Sequence, residues 1–162
     1  MLFAAWSDLD RALADVTPAD AVCQVNGGSS MAWTLAHVTN GVDSWINVRF
    51  QGRAPHPLFP HPRFRFGGDG SADEWDEIRA GVEDVRSNVR HYLLTRSDAD
   101  LDLVLPYDGS YPPFRERGIQ LRLAILQNGA HHYVHLGEIV TKREWLGYDT
   151  GSFPGSLVAS LA

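Results

Sequence analysis

Among the residues able to carry chemistry, the seven histidines are the most informative. His131 and His135 are four apart in a stretch whose apolar pattern predicts a helix. Their side chains then stand one turn apart, with Cβ atoms roughly 5–6 Å from each other. Two imidazoles so placed can bind one divalent ion, each nitrogen approaching to about 2.0–2.1 Å for zinc. A third ligand from a facing helix would complete an open site of three protein ligands, and His37 is the best placed candidate. His132, three before His135, is a rival. It points to the apolar side of the same helix, where its simplest role is a core histidine bonded to a backbone carbonyl. No HExxH is present, so the His-xxx-His spacing stands without that stronger signature.

These histidines have to be positioned by helices. The last predicted helix runs from about Gly118 to Trp145, ended by Gly147. It is apolar nearly all round, which predicts burial. A narrow polar seam holds Gln120, Gln127, His131, His135, Glu138 and Lys142. On periodicity alone that seam is either a solvent face with two exposed histidines or the lining of an inward site. His37 lies on a helix predicted from Met31 to Gln51, with Ser30 as N-cap and Gly52 as terminator. It falls off the apolar stripe and shares its side with Trp33, Gly41, Ser44 and Val48.

Leu2, Trp6, Leu9, Leu13 and Val16 form a first helix stripe, followed by a short turn that Thr17 caps and Pro18 opens. Ser71 and Glu74 read as a capping box before the stripe Trp75, Ile78, Val82, Val85, Val89 and Tyr92. Leu101, Leu103 and Leu105 read as a short strand or an extended link, and residues 148–162 as an arm over the surface or onto a partner. The expected fold is all-α: one domain, 1–162, a four-helix up-down bundle with a long crossover between helices 2 and 3. The crossover includes the Pro- and Gly-rich segment 52–70. From Ser44 to Gly68 there is no Asp or Glu, while Arg49, Arg53, Arg63 and Arg65 alternate with Phe50, Phe59, Phe64 and Phe66. This segment is either a mouth or lid that attracts an anionic substrate, or a solvated loop whose phenylalanines cover the bundle end.

Composition narrows the classes. Fourteen Lys+Arg against 20 Asp+Glu give a net charge of −6, which argues against nucleic-acid binding by bulk charge. Cys23, the single cysteine, excludes an internal disulfide and a Cys-rich zinc site; it reads as a small buried residue in a protein of a reducing compartment. The apolar start lacks a cationic n-region, and no run nears the ~18 apolar residues of a membrane span. A cytoplasmic protein without membrane contact is expected. Dinucleotide, P-loop, GxSxG and EF-hand motifs are absent.

The stretch Trp33-Thr34-Leu35-Ala36-His37-Val38, with His131-His132-Tyr133-Val134-His135-Leu136-Gly137-Glu138-Ile139, resembles the DinB/YfiT-like superfamily of metalloenzymes. The resemblance implies a seam turned inward, with His37, His131 and His135 on a divalent metal ion, zinc or nickel. Glu138, where many members have Gln, and Gln127 then become candidates to accept the ligands' outer N–H groups. The implied chemistry is thiol-dependent S-transfer or isomerisation on a small-molecule substrate, with a low-molecular-weight thiol such as mycothiol or bacillithiol, in a homodimer. A metal-dependent hydrolase and a non-catalytic metal- or ligand-binding bundle are the alternatives. No catalytic residue besides the ligands is assigned.

Overall fold

The computed structural model describes residues 1–109 and 111–159. Four long helices carry it: α1 (Leu2–Leu13), α3 (Met31–Val42), α4 (Trp75–Leu94) and α6 (Leu121–Trp145). Short helices α2 (Pro18–Val22), α5 (Pro112–Arg117) and α7 (Gly155–Ala159) lie between and after them. Local chemistry sets several starts. Thr17 Oγ1 accepts the Asp20 N–H at 3.2 Å to open α2, and Ser30 Oγ accepts the Trp33 N–H at 3.1 Å to open α3. Beyond Val42 the second long helix continues as a π-helical segment, Asp43–Phe50. Asn47 in that segment donates to Asp43 Oδ1 (3.0 Å) and to the Val85 carbonyl (3.3 Å), tying it to α4.

Two expected boundaries move. Ser71 does not cap α4; its N–H and hydroxyl both donate to Asp69 Oδ1 at 2.9 Å, and the helix begins after Glu74. The Glu74 carboxylate accepts from Arg63 at 2.8 Å, a loop cation that competes with the capping box. The last helix starts at Leu121, not Gly118, because Ile119–Gln120 (β2) pairs antiparallel with Val104–Leu105 (β1). The alternating leucines therefore end in a strand, and the residues before α6 are held by its partner.

Cross-helix contacts give the directions. Thr34 meets Lys142 and Gly41 lies against Asn128, so α3 and α6 are antiparallel. Asp8 meets Tyr133 and Asp15 meets Arg143, so α1 and α6 are parallel. Asp10 meets Arg86 and Arg90 lies over Phe3, so α1 and α4 are antiparallel. It follows that α3 and α4 run the same way, and residues 51–74 must travel back along the bundle. That is the crossover expected between the second and third long helices.

The core joins Trp6, Leu9, Val38, Ile46, Ile78, Val85 and Ile139, all buried, with Phe59 and Phe64 from the crossover. Burial of α6 is one-sided, contrary to its composition: Leu121, Ala124, His132, Leu136 and Ile139 are buried, while Leu126 and Val134 are 48% and 66% exposed. Cys23 is exposed, not buried, as it follows the last turn of α2. Of the C-terminal arm, residues up to 159 are described, and 160–162 lie outside. The arm rests on α1 of its own chain: Arg11 donates to the Ser152 carbonyl at 2.9 Å and the Ser156 N–H to Asp8 Oδ1 at 2.9 Å. Among the described residues no helix is long and apolar enough to cross a membrane.

Asp8 is fully buried and also accepts from Arg11 (2.8 Å) and the Tyr133 hydroxyl (3.2 Å). Burial works against its charge, but donors from Ser156, Tyr133 and Arg11 hold its carboxyl below the usual range. Burial and this carboxylate push the Tyr133 phenol up to about 12. Replacing Asp8 by Ala leaves these donors without their acceptor. A loss of about 2–3 kcal/mol in urea unfolding is expected, with increased proteolysis of the arm.

Candidate metal centre

His37 projects from the middle of α3, and His131 and His135 from the middle of α6. One ring nitrogen from each lies within 4.8 Å of the others. Among the described residues, this is the group of His, Cys, Asp or Glu side chains that could share an ion. Gly41 allows the approach: a Cβ there would stand 3.1 Å from Asn128 Oδ1 and 3.8 Å from His131 Nδ1. The small residue on the His37 side of the helix is thus what lets the two helices close on the site.

Outer contacts settle which nitrogens face inward. His37 Nδ1 is 2.7 Å from the Phe64 carbonyl. A carbonyl only accepts, so Nδ1 carries the proton and Nε2 keeps its lone pair. His135 Nδ1 is 2.9 Å from Glu138 Oε2, which fixes the same tautomer in the neutral ring. His135 Nε2 lies 3.0 Å from His131 Nε2. The same inward nitrogens, with neutral imidazole as donor, fit a borderline-soft divalent ion and leave coordination positions free.

The crossover holds this arrangement. Trp33 stacks on His37 with centroids 4.8 Å apart and planes 6° from parallel. Its indole N–H donates to the Arg63 carbonyl at 2.5 Å, one residue before the carbonyl that holds His37. Arg63 is in turn anchored on Glu74. The covering role read for the segment's phenylalanines holds in part. Phe59 and Phe64 enter the core, whereas Phe66 is 98% exposed beside the centre. Nothing in the sequence marks this segment as the one that orients His37. Two backbone carbonyls do this, and a carbonyl has no residue-type signature.

A cavity of about 440 Å³ opens over the histidines, lined also by Ser29, Trp33, Phe66 and Glu138. The inward alternative for the polar seam is therefore the one realised for its central residues. Glu138 stands behind His135 as anticipated. Gln127 does not reach the histidines; it is exposed on α6. His132 is the core histidine, 1% exposed, its Nδ1–H donated to the Asn128 carbonyl at 2.7 Å.

Burial, then the two neighbouring imidazoles, pushes His131 down to about 4. Burial also lowers His37, against the pull of its bond to the Phe64 carbonyl. Both rings are neutral at pH 7, the form that ligates a metal. Burial pushes His132 down to about 3.

The bundle brings three imidazoles together at one open centre, a cluster that fits a metal-dependent enzyme. The chain belongs to the DinB superfamily, whose family model matches residues 1–139. A solved structure described as the conserved protein of a locus from Enterococcus faecalis is similar in fold, with a TM-score of 0.64. It shares 16% sequence identity, over 88% of this chain and 90% of that one. No curated protein matches the chain.

The buried histidines make stability depend on pH. An unfolded His132 binds a proton near pH 6.5, but the folded one resists until about 3. Stability is therefore full above pH 6.5 and falls as pH drops below it, by up to about 1.4 kcal/mol per pH unit for this residue. Urea unfolding of metal-free protein at pH 7, 6 and 5 is expected to show that slope. His132→Gln, which keeps a donor for Asn128, should make it shallower.

Proposed function

We propose that the chain is a metal-dependent enzyme whose divalent ion is held by Nε2 of His37, His131 and His135. The observation that supports this most directly is the convergence of these inward nitrogens while outer partners fix two of the rings. Zinc or nickel suits the donor set. Three neutral ligands leave the ion's charge uncompensated, so it would lower the pKa of a thiol or water and polarise a substrate oxygen. The chain's own part is to orient His135 through Glu138, to hold His37 against Trp33, and to shape a small-molecule cavity walled by Phe66. We assign thiol-dependent S-transfer or isomerisation as the reaction, with a low-molecular-weight thiol as cosubstrate in a reducing cytoplasm.

Purified full-length protein loaded with zinc and then desalted should retain about one ion per chain by elemental analysis. His37→Ala, His131→Ala and His135→Ala should each abolish retention while far-UV circular dichroism stays helical. Retention by all three variants would overturn the site. Glu138→Ala should weaken zinc affinity by about 10–100-fold in chelator competition. A panel of low-molecular-weight thiols with electrophiles tests the reaction: zinc-dependent thiol consumption supports transfer, and none across the panel refutes it.

A further inference from the structure

The cavity over the three histidines differs in charge from the segment that walls it. Residues 44–68 carry Arg49, Arg53, Arg63 and Arg65 and no acid, yet no arginine lines the cavity. Arg49 lies over the Tyr107 ring at 4.9 Å and 3.6 Å from Asp108. Arg53 faces a separate groove beside Asp84 and Asn88. Arg63 is held by Glu74, and Arg65 is exposed outside the cavity. Lys142, one turn beyond Glu138, is 5% exposed, and its amine donates to Ser29 Oγ at 3.2 Å and Thr34 Oγ1 at 3.1 Å. It is a satisfied cation withdrawn from the cavity.

Two carboxylates do line the cavity, Asp69 and Glu138. Glu138 meets His135 with Oε2, and its Oε1 has no donor among the described residues. Asp69 Oδ1 accepts the Ser71 N–H and hydroxyl, both at 2.9 Å, and its Oδ2 has no donor among the described residues. The Ser71 donors, and Arg63 beyond them, hold the Asp69 carboxyl below the usual range. Each side chain is thus oriented through one oxygen and keeps the other open.

The third wall is aromatic. Phe66 is 98% exposed, the barest of the large apolar side chains described, and it borders the same space. The face of such a ring attracts a cation. Glycines press this loop onto the start of α3. A Cβ on Gly68 would collide with the Arg63 carbonyl, and one on Gly70 would stand 2.8 Å from Ser29 Cα. The Ser30 N–H donates to the Gly70 carbonyl at 2.7 Å, which closes the contact. Phe66 and Asp69 are brought to the cavity by that contact.

We propose that the substrate of this cavity is a small molecule bearing an ammonium group, held by the open oxygens of Asp69 and Glu138 and by the face of Phe66. The proposal rests on the reading above for the cavity as the reaction site, not for the ion. An ammonium has donors only, which matches two open acceptors. A carboxylate or phosphate there would meet two like charges and no side-chain cation. A divalent ion and two carboxylates cancel in formal charge. A substrate that offers the ion an anionic donor and the carboxylates an ammonium preserves that balance. Asp69, Glu138 and Phe66 are specificity-determining residues in this scheme.

The test uses three probes of one shape and different charge: benzylammonium, benzyl alcohol and benzoate. Each is titrated into the metal-free, ¹⁵N-labelled full-length chain at pH 7.5 and followed by amide chemical shifts. Benzylammonium is expected to bind tightest, with its shifts centred on Phe66–Gly70 and the histidine cluster, and to weaken with added salt. Asp69→Asn and Glu138→Gln keep an acceptor for Ser71 and His135 while removing the charge. Each should weaken benzylammonium by about 2–5-fold and leave benzyl alcohol unchanged. Phe66→Ala should weaken it by about 2–5-fold as well. Equal binding of the three probes, absence of binding by benzylammonium, or a preference that survives both charge-removing substitutions would overturn the proposal. Zinc retention is a separate readout: a chain that holds no zinc and still selects benzylammonium refutes the ion alone, and a zinc-retaining chain indifferent to probe charge refutes the ammonium site alone.

Discussion

The 2.7 Å bond from His37 Nδ1 to the Phe64 carbonyl is the contact on which the centre turns. It chooses the tautomer of one imidazole and aims the other nitrogen across the bundle at the pair on α6. The carbonyl is itself held because the Phe64 ring is buried in the core and Arg63 is anchored on Glu74. Core packing, a salt bridge and the orientation of His37 thus meet within two residues of the crossover. Removing the ring would disturb the cluster without altering a histidine, by loosening the backbone that presents the carbonyl.

The antiparallel contact of α3 and α6 organises everything around this bond. Along it, polar partners meet in sequence: Asn128 against Gly41, the histidine cluster, then Lys142 against Thr34 and Ser29. Burial works against the charged forms of His37, His131 and Lys142 along this row. A row of buried polar groups inside a bundle disfavours folding unless each has a partner. Here the partners are backbone carbonyls, hydroxyls and one carboxylate, which satisfy the rings and amine without pairing them into salts.

Much of this was legible in the chain. Helical spacing located the four long helices, and Thr17 and Ser30 cap where their chemistry requires. The His-xxx-His spacing and His37 named the cluster, and the apolar side of α6 marked His132 as core. What escaped was decided by partners distant in sequence. The capping box lost its glutamate to Arg63, eleven residues before Glu74. Ile119 and Gln120, apolar-patterned like the helix after them, were drawn into a strand by Val104 and Leu105. The exposed face of α6 was hidden by composition, since leucine and valine occur on surfaces as well as in cores. Lys142 looked like a seam residue of no particular kind until tertiary structure enclosed its amine.

The shared direction of α3 and α4 has a further consequence. A connection that must span a bundle has a minimum length, and this one is also threaded past the centre at three points: the carbonyls of Arg63, Phe64 and Gly70. Ordinary surface loops tolerate gain or loss of residues because little depends on their register. Here a deletion between Phe64 and Gly70 would tighten the thread and shift one clasp relative to the other. Divergence among related chains should therefore spare the spacing of those carbonyls even where the side chains that carry them change.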